Sequence, residues 1–155
     1  MIILITGLIA AVSAPSAARS AAICEVGRVA LRDLPAINHN RGFDAYYAGA
    51  NPEHRDLLEV CPKLKAMLPV GYPLADDDAR ARAKVGFPRP GQHQHTREAF
   101  IYSISVPEIS ADLKSAVVHM GYSCTGLCGA GFEASYVRTA KGWLRQGEIR
   151  NFFVS

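Results

Sequence analysis

Cys124 and Cys128 are the first residues in this chain whose types and spacing could do chemistry. They lie with three glycines in the segment Ser123–Gly131, between two runs that are typical of strands. Thioredoxin-type redox pairs have two residues between the cysteines and lie at the start of a helix, whereas three residues separate this pair. The glycines occur in the reverse of the dinucleotide-binding order, and no helix N-terminus follows to hold a phosphate. The segment therefore predicts a wide turn closed by a Cys124–Cys128 disulfide.

The two remaining cysteines, Cys24 and Cys61, would then form a second disulfide between the first two predicted helices. Four cysteines allow three connectivities, and the sequence does not choose among them. On ligand type alone, Cys61, Cys124 and Cys128 could instead bind zinc together with His119. An even number of cysteines in an exported chain favours disulfides over zinc thiolates.

A pair of histidines in a predicted loop is the other candidate for chemistry. His93 and His95 alternate with Gln94, so in an extended segment both imidazoles lie on one side and form half of a zinc or copper site. No third histidine or carboxylate is an evident further ligand. We therefore expect no cofactor and no catalytic set. A small hydrolase or metal-dependent enzyme that uses His93 and His95 is the enzymatic alternative.

Five basic residues follow one another without an intervening acid in the middle of the chain. They are Arg80, Arg82, Lys84, Arg89 and Arg97. Such a segment could bind an anionic envelope polymer or a lipid headgroup, although a solvated helix face and a polar loop have the same composition. The formal net charge of the whole chain is only +3, which does not favour nucleic acid as the partner.

The N-terminal residues are typical of a secretory signal peptide. Residues 1–18 carry no charged side chain, and Ile2–Val12 is densely apolar. This run is shorter than the roughly 20 apolar residues that a membrane-spanning helix needs, so a retained anchor is the less favoured alternative. No lysine or arginine precedes the run, and we therefore expect the true start of translation to lie upstream of Met1.

The end of this segment sets the predicted domain boundary. Small residues at Ser20 and Ala22 predict cleavage after Ala22, with Ala18 as the alternative site. We expect residues 1–22 to be the signal peptide and residues 23–155 to be a single domain, exported to the periplasm or secreted, without a transmembrane span in its mature form.

The first half of the remaining chain has helical periodicity. Apolar spacing predicts a helix over 22–33 that a proline ends, followed by a loop over 38–50. A second helix is predicted to start at Asn51 as its N-cap and to be split or kinked at Pro62. Acidic residues first and basic residues last predict a short helix over 76–84.

The second half has the alternating pattern of strands. Four runs of apolar and β-branched residues are predicted to be strands: 100–106, 116–122, 132–139 and 143–154. A tight hairpin over 140–142 joins the last two. Helices first and strands last predict an α+β fold, in which N-terminal helices pack on a C-terminal antiparallel meander of about four strands.

Four segments in the C-terminal part follow a recognisable order. They are Ala116–Cys124, Leu127–Gly131, Lys141–Trp143 and the final Val154 and Ser155. This order resembles the C-terminal meander of uncharacterised bacterial exported proteins, in which a strand, a Cys-x-x-Leu-Cys-Gly turn, a strand, a Gly-Lys-Trp-like hairpin and a last strand follow one another. The resemblance covers about the last 40 residues and implies a fold without a known activity. The chain departs from it at Asn151–Phe153, where the resemblance predicts a tryptophan.

These patterns together predict a non-enzymatic exported domain that binds something in the envelope or serves another envelope protein. Two alternatives remain open. One is the enzyme that uses His93 and His95, and the other is an anion-binding module that uses the basic segment between Arg80 and Arg97.

Overall fold

A computed structural model describes residues 15–39, 42–50, 54–84, 98–125 and 128–154. The helices are α1 (Pro15–Asp33), α2 (Leu57–Val60) and α3 (Asp77–Lys84), with 3₁₀ helices at Leu34–Ile37 and Pro62–Met67. The strands are β1 (Asp44–Tyr47), β2 (Ala99–Ile104), β3 (Glu108–Ile109), β4 (Ser115–Ser123), β5 (Gly129–Thr139) and β6 (Gly142–Val154). The predicted α+β class is confirmed, because the helices lie towards the N-terminus and a sheet occupies the C-terminal side.

The strands form one sheet in the order β1-β2-β4-β5-β6, and β3 pairs with β4 on the same side as β2. The pairings of β2, β4, β5 and β6 are antiparallel, as the predicted meander requires. The prediction of a loop over 38–50 is wrong, because β1 lies there and pairs in parallel with β2, with Asp44 opposite Ala99. A four-residue strand shows too little alternation to be recognised, and its partner lies far along the chain.

Helix α1 supplies most of the helical layer that covers one face of the sheet. Val26, Ala30 and Leu31 are buried against the sheet in the main hydrophobic core. Polar contacts also hold α1 to the sheet, since Tyr136 Oη donates to Asp33 Oδ2 at 2.9 Å and Trp143 Nε1 donates to a carboxylate of the helix. The proline predicted to end this helix lies in the 3₁₀ helix that follows it.

The predicted cleavage site after Ala22 lies inside α1. Ala22 is buried in the core, and Arg19 Nη2 donates to the carbonyl of Ile109 at 2.6 Å. Residues 1–14 lie outside the described residues, so the signal peptide stays a prediction. No helix in the described part of the chain is long and apolar enough to cross a bilayer.

Helix α2 starts later than the sequence predicts. Asp56 is its N-cap, accepts a hydrogen bond from the Leu58 N–H at 2.8 Å and forms a capping box with Glu59. The predicted N-cap, Asn51, lies outside the described residues. The chain splits at Pro62, as predicted, and continues as a 3₁₀ helix because proline cannot donate the backbone hydrogen bond that the α-helix needs.

Two disulfides link the chain, one between residues far apart in sequence and one within a short turn. Cys24 in α1 pairs with Cys61 at the end of α2, with Cα atoms 5.6 Å apart. Cys124 pairs with Cys128 across the turn from β4 to β5, with Cα atoms 5.1 Å apart. The described residues therefore include no free cysteine to bind zinc.

The N-cap of α2 is also the acceptor of a buried tyrosine. Asp56 is only 1% exposed, and Tyr47 Oη donates to its Oδ1 at 3.2 Å. Burial raises the pKa of Asp56, while donors from Leu58, Tyr47 and the Ile104 backbone oppose this rise. Burial and the nearby carboxylate also raise the pKa of Tyr47. The carboxylate thus joins α2 to the end of β1.

We predict that Asp56→Ala lowers the free energy of unfolding by about 2–4 kcal/mol, because the cap is lost and the Tyr47 hydroxyl keeps no acceptor in the core. Urea denaturation measures this loss. Asp77→Ala in the exposed first turn of α3 is the control, with an expected change below about 0.5 kcal/mol. Equal losses in the two variants would contradict this role for Asp56.

We also predict that the two disulfides differ in how much they stabilise the protein. Cys24–Cys61 spans 37 residues and Cys124–Cys128 spans 4. Loop-closure entropy assigns about 4 kcal/mol to the first and about 2 kcal/mol to the second. Paired alanine variants compared by thermal and chemical denaturation test this order, and a larger loss at the hairpin would refute it.

Candidate functional site

A groove of about 1060 Å³ lies on the sheet face opposite α1. Alternation along β2 separates the two faces: Phe100, Tyr102 and Ile104 belong to the core with α1, whereas Ser103 and Ser105 line the groove. A smaller depression of about 490 Å³ lies elsewhere, between Lys65 and Leu74. The larger groove is lined by arginine, lysine, histidine, glutamate and serine residues, and it is the candidate site.

The floor of this groove is formed by small residues that face one another across three strands. Ser103 lies opposite Gly121, and Gly121 lies opposite Gly131. A Cβ atom at Gly121 would lie 2.9 Å from the carbonyl oxygen of Ala130, so the backbones approach too closely for a side chain. Around these glycines the floor therefore presents sheet backbone and the short side chains of Ser103 and Ser123, with Ile101 beside them under α3.

Helix α3 forms the basic wall of the groove. Arg80 and Lys84, one turn apart, line it together with Ala83. The buried side chain of Ala79 packs against Ile101 and fixes α3 to the sheet. The basic wall is thus a helix that packs on β2.

Arg82, between these two cations in sequence, does not face the groove. Its side chain is only 15% exposed and forms ion pairs with Asp44 at 3.0 Å and Asp78 at 2.9 Å, and it also donates to Tyr46 Oη at 2.7 Å. Burial opposes the charge, but these hydrogen bonds raise the pKa of Arg82 above its ordinary value. Arg82 therefore fastens α3 to β1 and does not line the groove, and its anion-binding role stays a prediction.

Two phenylalanines form the opposite wall. A register shift pairs Gly131 with Phe153 and Phe132 with Asn151, so Phe152 is the extra residue of a β-bulge in β6. The bulge brings both consecutive rings over the bare backbone of Gly131, with their centroids 5.2 Å apart. Phe152 is 57% exposed and Phe153 is 49% exposed, so both present ring surface to solvent.

A polar row crosses the sheet at one end of the groove. Ser105 donates its N–H to the His119 carbonyl at 2.9 Å, and His119 lies opposite Glu133. The Nε2 atom of His119 is 3.3 Å from Glu133 Oε2, and Nδ1 is 3.9 Å from Glu108 Oε1. Arg150 and His119 together hold the pKa of Glu133 below its ordinary value.

This row has the residue types of a Ser-His-acid triad but not its geometry. The Nε2 atom of His119 lies within hydrogen-bond distance of Glu133, and its Nδ1 atom faces the Glu108 carboxylate. Within the described residues, no hydrogen bond joins the Ser105 hydroxyl to His119. The arrangement positions His119 and gives it no nucleophile to activate.

Four of the other predicted site residues lie outside the described residues: His93, His95, Arg89 and Arg97. Among the residues that the structure does describe, no three histidine, cysteine or acidic side chains gather as metal ligands. The disulfide candidates Cys24, Cys61, Cys124 and Cys128 lie in the two pairs described above.

Two further basic residues at the groove were missed from the sequence. His54 and Arg55 lie just before α2 and line the groove, where the Arg55 carbonyl accepts a hydrogen bond from Val106 N–H. Asp56 follows Arg55 directly, so no local run of like charge marked this position.

No family model, curated protein or solved structure matches the chain. The function must therefore be inferred from the residues that line the groove.

We predict that Gly131→Ala moves the aromatic wall and leaves the sheet folded. The new Cβ would lie 2.3 Å from Phe153 Cε1 and 2.5 Å from Phe152 Cζ, and both are outer ring atoms that can rotate away. NMR contacts between the Phe152 ring and the residue 131 backbone should be lost, while the melting temperature changes little.

Gly121→Ala is the matched comparison, because its Cβ would meet backbone instead of a ring. We expect it to destabilise the protein by about 1–3 kcal/mol. If Gly131→Ala left the phenylalanine contacts unchanged, the described aromatic wall would be incorrect.

Proposed function

We propose that this protein is a non-enzymatic exported domain that binds an anionic ligand in the groove on the open face of its sheet. One observation carries the proposal: cationic side chains of α3, together with Arg55 just before α2, line a groove whose other wall is aromatic. A cleft lined mainly by one sign of charge concentrates oppositely charged ligands and speeds their association.

The charges that line the groove are mainly positive. Arg55, Arg80 and Lys84 are basic residues, and Glu108 is the one acidic residue among the described lining residues. Within the described part of the chain, Arg55 and Lys84 form no ion pair. Arg80 uses one guanidinium nitrogen to donate to the Ala48 carbonyl, which holds the side chain at the wall. These cations are therefore available to a ligand.

The proposal also includes export of the protein from the cytoplasm. Two disulfides and the absence of a membrane-spanning helix among the described residues are compatible with an extracellular protein. The charge-free, apolar start of the chain supports a signal peptide, and the resemblance of the C-terminal meander to bacterial exported proteins supports a periplasmic or secreted location. Residues 15–22 of the predicted 1–22 peptide belong to α1, so cleavage after Ala22 would remove the first turns of that helix and the Arg19–Ile109 hydrogen bond. The enzymatic alternative depends on His93 and His95, and nothing in the described residues adds to it.

The proposal predicts that a polyanion binds through the basic wall. We expect fluorescently labelled heparin to bind the intact protein and the affinity to fall as salt increases. The double variant Arg55→Glu, Lys84→Glu should bind about tenfold more weakly, which corresponds to ~1.4 kcal/mol. Fluorescence anisotropy at several salt concentrations measures both effects.

Lys63→Glu with Lys141→Glu is the charge-matched control, because both lysines are exposed and neither lines the groove. This pair should bind heparin within about twofold of the unmodified protein, as expected for charges outside the binding surface. Equal weakening by the control pair would mean that net charge alone attracts the polyanion, and unchanged binding by the Arg55 and Lys84 double variant would remove the groove from the interaction.

A further inference from the structure

We propose that the anionic ligand of the groove is an acidic saccharide chain, an inference that rests on the proposed function. The groove has three kinds of surface. These are two exposed aromatic rings, a floor with serine hydroxyls and glycines, and basic side chains on α3 that are separate from the acidic side chain of Glu108. A saccharide that carries acid groups at intervals matches all three.

The aromatic wall favours flat ring-shaped partners. Phe152 and Phe153 are about half exposed although they lie side by side, and the bulge directs both towards the groove. The face of an aromatic ring is electron-rich and attracts weakly positive C–H groups. The C–H face of a sugar ring supplies such groups over a flat area of similar size.

The floor disfavours an extended peptide. Gly121 and Gly131 belong to the central strands β4 and β5, whose backbone groups are already paired within the sheet. A peptide could not add itself as a strand on this face, because strand addition needs an unpaired edge. The hydroxyls of Ser103 and Ser123 both line the groove and can exchange hydrogen bonds with sugar hydroxyls.

The charges disfavour a ligand whose only polar side groups are anions. Glu108 lines the groove near His119 and its side chain is 73% exposed, whereas Arg80 and Lys84 belong to the α3 wall. A chain whose side groups are all carboxylates, as in polyglutamate, would bring only negative charge close to Glu108. A saccharide can place an acid group on the basic wall and donate a hydroxyl to the Glu108 carboxylate.

The test compares three probes of similar length by isothermal titration calorimetry with the intact protein. They are an oligogalacturonate, poly-L-glutamate and neutral dextran. We expect oligogalacturonate to bind at least about tenfold more tightly than polyglutamate, since ring stacking adds to the shared charge interaction. Dextran should bind most weakly.

Variants of the aromatic wall show which surface discriminates. Phe152→Leu with Phe153→Leu keeps apolar bulk and removes both rings, and should weaken oligogalacturonate binding about tenfold while polyglutamate binding changes less than twofold. Leu144→Ala, at an exposed position of the same strand away from the groove, is the control and should change neither. Melting curves confirm that each variant is folded.

The outcomes separate this inference from the proposed function. Equal affinity for polyglutamate and oligogalacturonate, with no effect of the leucine variants, would overturn the saccharide inference and leave an anion-binding groove. Binding only to vesicles that contain anionic phospholipid would also overturn it. If neither anionic probe bound, while the charge-reversal variants left heparin binding unchanged, the proposed function would fall as well.

Discussion

The packing of α1 on one face of the sheet is the interaction on which the other features depend. Val26, Ala30 and Leu31 bury that helix against the core, and the Cys24–Cys61 disulfide joins it to the end of α2. Most of the helical layer therefore lies on one side. In the part of the chain that the structure describes, the opposite face is covered only locally, by the eight-residue helix α3 near β2 and by two phenylalanine rings over β5. The groove is the sheet surface left between these two partial covers.

Helix α3 is held in place partly by residues that do not line the groove. Arg82 fastens α3 to β1 through Asp44, which leaves Lys84 on the groove side without an ion pair in the described residues. The hydroxyl of Thr125 donates to the Arg82 carbonyl, so the disulfide-closed turn also supports the end of α3. The cysteine segment that first suggested redox or phosphate chemistry is thus a structural end of the groove.

The sequence predicted features that depend on local pattern. Alternation located the antiparallel strands, and Pro62 marked the change from α-helix to 3₁₀ helix. It did not predict β1, because a short parallel strand is defined by a distant partner. Nor did it predict the aromatic wall: a one-residue bulge in β6 reverses the alternation and brings two consecutive phenylalanines to one face. Arg80 and Lys84 were identified by composition, but only the packing of α3 separates them from Arg82.

The most direct measurement of the central claim, that the open sheet face is the binding surface, is NMR titration of the ¹⁵N-labelled intact protein with oligogalacturonate. The account predicts that the largest amide shifts lie at Ser103, Gly121 and Gly131 and on the α3 wall at Lys84. Shifts confined to the depression between Lys65 and Leu74, or to the outer edge of β6 away from the groove, would contradict it.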